Sequence, residues 1–424
     1  MKVEMKESGV DWIGKIPSNW EIKRNKKVFD CYKLIVGKNS SQTQLLSLTT
    51  KGIKEKDINN KEGKLPESFD TYQYVKKNNI VMCLFDLDVS AVFSGLSKYE
   101  GMISPAYKVL SCKKELYPKF ADYWFKYISD GRKFNHYAKN IRFTLTYDEF
   151  SYLPIVSPPF DLQINIGNYL DTKCSIIDSI IEKQQAVIEK LKLYKRSLIT
   201  ETVTKGLNPN VEMKDSGVEW MGKIPKHWLC PKISYIASTA SGATPSRNNK
   251  EYWNGTVKWI KTGELQNKEL YDSEEKITEK GLLESSAKLF KENTILIAMY
   301  GQGKTRGMTG LLKINSSTNQ ACAGITVTSD KINFNFLWKF LIGAYDGLRQ
   351  LAVGSGQPNL NLNLINNFKV TLPPIVEQID IVNYLNFKGS AIDLSIEKKQ
   401  KIIEKLHQYK KSLIYEVVTG KKAV

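Results

Sequence analysis

Histidine is scarce in this chain: His136, His227 and His407 are the only three in 424 residues. Triad hydrolysis or a His-ligated metal would have to rest on one of them. His227 stands between Lys226 and Trp228, and His407 lies in a helical stretch, so both read as incidental polar positions. The six cysteines (Cys31, Cys83, Cys112, Cys174, Cys230 and Cys322) are scattered, with no C-x-x-C spacing. Thiolates that far apart do not converge on one tetrahedron, which leaves buried free thiols in a reducing compartment. No apolar run approaches the ~20 residues of a membrane-spanning helix. Met1-Lys2-Val3-Glu4 opens no secretory signal, and a cytoplasmic protein is expected. No trustworthy nuclease pattern of an Asp followed at variable distance by Glu-x-Lys, and no glycine-rich cofactor loop after a strand, occurs, so catalytic parts are missing.

What is present is length and positive charge. At roughly 150 residues per domain, 424 residues allow two or three domains. Hydrophobic content of 42% with 25% charged residues excludes wholesale disorder. Lys and Arg number 62 against 44 Asp and Glu, a net +18. That excess favours a polyanion as partner, nucleic acid ahead of an anionic membrane surface.

The chain is a tandem repeat. Residues 6–20, KESGVDWIGKIPSNW, recur at 214–228 as KDSGVEWMGKIPKHW, identical at ten of fifteen positions. A stretch from Asn168 recurs from Asn383, 215 residues later, with 23 identities in 37 positions. Residues 21–150 and 229–370 show no comparable alignment. Free drift would not spare tags and helices while changing the middles, so the pattern suggests two different readers of one kind of target on matching scaffolds.

The recurrent stretches read as long helices of about 40 residues, or about 60 Å. In the first, Leu170, Lys173, Ile177, Ile180, Gln184, Val187, Leu191, Tyr194 and Leu198 alternate by three and four, a heptad seam. Ile181 and Ile188 widen it. In the second, Ile392, Ile402, Leu406, Tyr409 and Leu413 keep that seam, interrupted by Ser395 and Lys399, with Ile396 and Ile403 beside it. Pro158-Pro159 and Pro373-Pro374 lead into the two helices. Pairing of the matching helices with each other is the simplest expectation; packing of each on its own domain is the alternative. The expected division is a first block over 1–153, a helix over 154–206, a second block over 207–370 and a helix over 371–424.

The middles read as mixed α/β, with buried strands at residues 80–84 and 294–298 and helical aromatic spacing at 120–128 and 334–348. Residues 1–153 carry net +8 and 207–370 net +6, against +1 and +3 for the helices. Most of the excess thus sits where a nucleic-acid footprint would be needed. Ala298 to Thr305 fits a relaxed phosphate-loop pattern, but the glycines after Thr305 are poor material for the required helix. A basic, glycine-rich hairpin loop is the better reading, with Lys304 and Arg306 meeting a DNA backbone. Ser157-Pro158-Pro159-Phe160 imitates an aminomethyltransferase signature but lacks the Asn or Asp that would hold the target amine.

Further motifs carry a resemblance: both tags end Gly-Lys-Ile-Pro-x-x-Trp, and Tyr252-Trp253-Asn-Gly leads to Trp259-Ile and Gly263-Glu264-Leu265. Thr318-Asn319-Gln320-Ala321-Cys322-Ala323-Gly324-Ile325 and Gln357-Pro358-Asn359-Leu360-Asn361 follow, with Ile103-Ser104-Pro105-Ala106-Tyr107 and Asp148-Glu149-Phe150 in the first half. Together, over essentially the whole chain, these make it similar to the specificity (S) subunit of Type I restriction–modification systems.

The resemblance implies an α+β fold: two α/β target-recognition domains joined by two long helices that pair as an antiparallel coiled coil. Each domain would read one part of a bipartite double-stranded DNA target. The helices would dock methyltransferase (M) subunits, two of them, which methylate adenine with S-adenosylmethionine. Restriction (R) subunits would join and use ATP and Mg. The S chain would hold no cofactor and no metal, catalyse nothing and need no membrane. A protein-interaction scaffold with incidental charge is the alternative. The expected DNA contacts are Lys98, Lys139, Arg142, Lys258, Lys261, Lys304, Thr305 and Arg306. Helix pairing is expected at Ile177, Ile180, Val187, Leu191, Tyr194, Leu198, Ile392, Ile402, Leu406, Tyr409 and Leu413.

Overall fold

The computed structural model describes residues 4–50, 52–57, 66, 68–87, 93–138, 143–301, 303–351 and 359–424. The chain divides into two compact units: Met1–Gln185 with Gln400–Val424, and Ala186–Lys399. Each unit therefore takes part of both long helices.

In the first unit the tag is a hairpin of Met5–Glu7 and Lys15–Pro17. The chain then forms Glu21–Arg24, which pairs antiparallel with Pro154–Ser157, the strand that leads into the first long helix. The central sheet runs Phe29–Tyr32, Lys108–Cys112, Ile80–Met82, Ser94–Leu96, antiparallel throughout. Helix Pro118–Asp130 opens on a proline at its first turn, where no N–H is needed. It buries Phe120, Trp124 and Phe125. The Phe125 ring lies 5.6 Å from Phe29 and 6.1 Å from Phe93, centroid to centroid.

The second unit repeats this plan. Its sheet runs Ala237–Ser241, Cys322–Val327, Ile295–Ala298, Thr309–Leu312, in the same chain order as the four strands of the first unit. A fifth strand, Lys268–Leu270, adds in parallel beside Thr309–Leu312. A separate three-stranded sheet of Glu275–Ile277, Trp253–Ile260 and Ser317–Thr318 has no counterpart among the described residues of the first unit. The two middles thus share a core topology that their sequences conceal. The helical aromatics at 334–348 form two helices, Phe334–Gly343 and Tyr345–Gln350, broken at Ala344.

The long helices are Phe160–Lys205 and Ile375–Val418, 46 and 44 residues; at 1.5 Å per residue they reach about 65–70 Å. They run antiparallel. In the first unit Lys410 Nζ lies 2.7 Å from Asp178, and in the second Lys195 Nζ lies 2.7 Å from Asp393. The two pairs are one pair repeated, since Asp178 and Asp393, like Lys195 and Lys410, are separated by the repeat length of 215.

Burial corrects the phase of the seam. Ile177, Ile392 and Leu413 are buried and Leu191, Leu198 and Leu406 half-buried. Ile180, Val187, Tyr194, Ile402 and Tyr409 face outward: Ile180 is 38% and Tyr194 57% exposed, whereas Ile181 and Ile188 are each 5%. The alternate seam position falls one residue later, at Cys174, Ile181, Ile188 and Lys195, and again at Gly389, Ile396, Ile403 and Lys410. Adjacent apolar pairs such as Ile180-Ile181 satisfy either phase, so spacing alone could not choose. A small residue at one end of this row and a lysine at the other disguised it. The apparent interruption at Ser395 disappears with the correction, because Ser395 is exposed.

The tags sit where the long helices end. Gly206 (φ +79°) and Gly420 (φ +72°) take the left-handed conformation that terminates a helix. A Cβ on Gly206 would stand 3.1 Å from the buried Trp228 ring, and one on Gly420 3.0 Å from the Trp20 ring and 2.4 Å from Pro17. The shared tag and the shared helix are two halves of a joint made twice. His227 is not incidental in it: its Nε2 lies 2.7 Å from Glu377 Oε1, while Trp228 Nε1 donates to Glu377 Oε2 at 2.7 Å.

Candidate nucleic-acid interface

The glycine-rich segment after Ile295–Ala298 is a hairpin connection, because the next element is the antiparallel strand Thr309–Leu312. No helix follows Thr305, so no ring of helix-terminal N–H groups faces a phosphate there. The loop is braced rather than slack. Tyr345 Oη donates to Lys304 O at 2.8 Å, and Arg349 Nη1 donates to Arg306 O at 3.0 Å and to Tyr345 Oη at 3.1 Å. Gly307 (φ +84°) lets the loop pass over Tyr345, whose ring a Cβ would meet at 3.4 Å. Bracing the backbone leaves the Lys304 side chain exposed, with Thr305 and Arg306 half-buried.

Lys98 is exposed on the turn between Ser94–Leu96 and Gly101–Ile103. Lys258 and Lys261 are held by acids instead of standing free. Lys258 pairs with Asp272, and Lys261 lies 2.9 Å from Glu274 and 3.0 Å from Glu275. These hydrogen bonds raise both ammonium pKa values, Asp272 acting on Lys258 and Glu274 then Glu275 on Lys261. Lys139 and Arg142 lie outside the described residues.

A cluster that sequence reasoning missed surrounds these lysines. The Arg247 guanidinium stacks 3.7 Å above the Trp253 ring and 5.0 Å from Trp259, and bonds Glu275 at 2.5 Å. Trp253 Nε1 donates to Ser246 O at 3.0 Å and Trp259 Nε1 to Ala243 O at 3.0 Å. The loop over residues 242–248 is thereby pinned, and Gly242 is required there because a Cβ would come within 2.2 Å of Thr318 O. On its surface Thr244 Oγ1 donates to Gln320 Oε1 at 2.5 Å. The motifs around Trp253 and Thr318 are far apart in the sequence; tertiary pairing of Trp259 and Ile260 with Ser317 and Thr318 brings them together. The result is a polar rim that carries Thr244, Gln320 and Arg247, side-chain types that hydrogen-bond base edges and phosphates.

The described residues offer no other obvious chemistry. All six cysteines are free, and burial pushes the Cys112 and Cys322 thiols up to about 12, so neither is a thiolate at neutral pH. No group of three or more His, Cys, Asp or Glu among them is placed to hold a metal ion. No described helix is long and apolar enough to cross a membrane.

The sequence model of the Type I restriction modification DNA specificity domain matches residues 225–411. The specificity subunit of the Type I restriction enzyme MjaIX from Methanocaldococcus jannaschii is 32% identical over 46% of this chain and 44% of its own length. That of EcoR124I/EcoR124II from Escherichia coli is 23% identical over 48% of this chain and 50% of its own. The chain therefore aligns with about half the length of these curated relatives. In fold, a chain from work on complex assembly and conformational transition of the type I R-M system matches with TM-score 0.73 at 12% identity, covering 96% of this chain and 99% of that one. The HsdS subunit from Thermoanaerobacter tengcongensis matches with TM-score 0.52 at 13% identity, covering 96% and 98%.

Proposed function

We propose, from the match of residues 225–411 to the Type I restriction modification DNA specificity domain, that this chain is the DNA-recognition subunit of a Type I restriction–modification enzyme. Each block reads one half of a bipartite double-stranded target. The paired helices hold the blocks apart and dock two methyltransferase subunits, and restriction subunits join that core in the cytoplasm. Adenine methylation with S-adenosylmethionine belongs to the methyltransferase subunits; ATP and Mg belong to the restriction subunits. This chain contributes binding and positioning, and no catalytic step.

One observation carries the reading. The same four-stranded core and the same tag–helix joint occur in both units, while residues 21–150 and 229–370 have lost sequence likeness. A scaffold kept constant under two divergent surfaces fits two readers of two sequences. Lys98, Lys304, Thr305 and Arg306 are the backbone contacts we assign among the described residues. Lys258 and Lys261, tied to acids, would have to exchange partners to reach phosphate.

The test is DNA affinity across salt for the full chain, for Lys304→Ala and for Arg306→Ala. Each lost phosphate contact should lower the salt slope by about one unit and weaken all sequences alike. Salt-insensitive binding by the parent would favour the scaffold alternative, and an unchanged slope in both variants would remove this loop from the interface.

A further inference from the structure

Each long helix begins with a glutamine that solvent does not reach. Gln163 and Gln378 are both 0% exposed and are separated by the repeat length. Gln163 Nε2 donates to Pro158 O at 2.8 Å and to Glu115 O at 3.0 Å, and its Oε1 accepts from the Tyr117 N–H at 2.8 Å. Gln378 repeats this bond for bond: Nε2 to Pro373 O at 2.8 Å and to Lys331 O at 2.9 Å, with Oε1 accepting from the Asn333 N–H at 2.8 Å. Tyr117 and Asn333 are the residues immediately before helices Pro118–Asp130 and Phe334–Gly343.

One side chain in each unit thus ties together the long helix, its Pro-Pro lead-in and the start of the helix that carries the block's aromatic core. The arrangement uses two donors and one acceptor pointed at three backbone groups, which only a primary amide supplies at this length. Glutamate would keep the acceptor and lose both donors; leucine would keep volume and lose all three bonds. The partner residues differ in every case but the prolines, so the clamp is preserved by its backbone geometry rather than by its surroundings. Buried carbonyls left without donors would have to move toward water, and the block would turn on its helix.

We propose that Gln163 and Gln378 are positioning residues that fix the rotation of each recognition block on its long helix, and thereby set which spacing between two DNA half-sites the protein accepts. This rests on the two-reader function above. It assigns to these amides spacer discrimination, and leaves base choice to the exposed rims.

The experiment is selection from a random-sequence duplex library with the full chain and with Gln163→Glu, Gln163→Leu, Gln378→Glu and Gln378→Leu. The parent should return two half-sites at one spacing. The variants should return the same half-sites with the share of shifted spacings raised about tenfold, the factor that about 1.4 kcal/mol of lost discrimination represents. Hydrogen exchange at the Tyr117 and Asn333 amides should quicken only in the unit carrying the change, a readout that holds where a leucine variant is too unstable for selection. A variant that is folded, exchanges faster and still returns a single spacing overturns the proposal. A parent that returns no paired half-sites overturns the two-reader function instead, and its amides would then have no spacing to set.

Discussion

Glu275 shows how a single residue organises the candidate interface. Its carboxylate takes a bond from Arg247 and lies 3.0 Å from Lys261, and those partners, Arg247 first, hold its pKa below the ordinary carboxylate value of 4.5. A carboxyl lowered in the folded state stabilises above its unfolded pKa, and that contribution is lost as pH falls through the folded value. Glu275→Gln should therefore be less stable than the parent at pH 6, with the gap closing as pH drops below about 4.5. Urea midpoints of the two proteins at pH 6 and pH 3 check this; a gap that stays constant would mean the Arg247 and Lys261 contacts are not electrostatic in origin. Trp253 and Trp259 were visible in the sequence as motif residues, but Arg247 was not, because a lone arginine in a polar loop has no periodicity. Gln163 and Gln378 did leave a signal. Each stands four residues after the second proline of its Pro-Pro lead-in and is followed by isoleucine in both repeats. Glutamine is ordinarily an exposed residue, and only burial gives that coincidence its meaning.

At the level of the element, the long helices were legible in extent and approximate face, and wrong in phase by one residue. Heptad spacing specifies a stripe and not its centre when neighbouring apolar residues flank it on both sides. Burial of Ile188 with Val187 outside makes a sharp prediction within the second unit. Ile188→Asp should cost several kcal/mol, since it places a carboxylate on a packed seam. Val187→Asp should stay within about 0.5 kcal/mol of the parent. Thermal unfolding by circular dichroism distinguishes them, and equal damage from both would restore the original phase. The Lys195–Asp393 and Lys410–Asp178 pairs are substantially exposed and contribute little stability each. Exchanging the charges of one pair should therefore leave thermal unfolding within about 0.5 kcal/mol of the parent.

For the whole molecule, the consequence of two like cores on like joints is exchangeability. Replacing residues 229–370 with the matching block of another specificity subunit should change one half of the methylated DNA sequence and preserve the other. Mapping adenine methylation in cells that express the chimera with its modification subunits reads this out directly. Simultaneous change of both halves would end the two-reader function. The repeat that supports this prediction was fully legible, since its tags and helices remain alike at the sequence level. The likeness of the middles was not. Phe29–Tyr32 and Ala237–Ser241 occupy the same edge position in their sheets with no shared residues, because each buries only its first residue and an edge strand asks little of the rest beyond backbone pairing.

Sequence by itself determined the tandem architecture, the long helices and the hairpin nature of the loop around Lys304. These follow from composition, repetition and local backbone preference, which act along the chain. Tertiary structure alone decided the seam phase, the meeting of the Trp253 and Thr318 motifs, the neutralisation of Lys258 and Lys261, and the burial of Gln163 and Gln378. Each of those depends on which distant segment comes to lie beside a residue. The partners of Gln163 at Glu115 and Tyr117, and of Lys195 at Asp393, are dozens to hundreds of positions away. No local pattern encodes such a pairing, because the free energy that selects it comes from packing the whole unit.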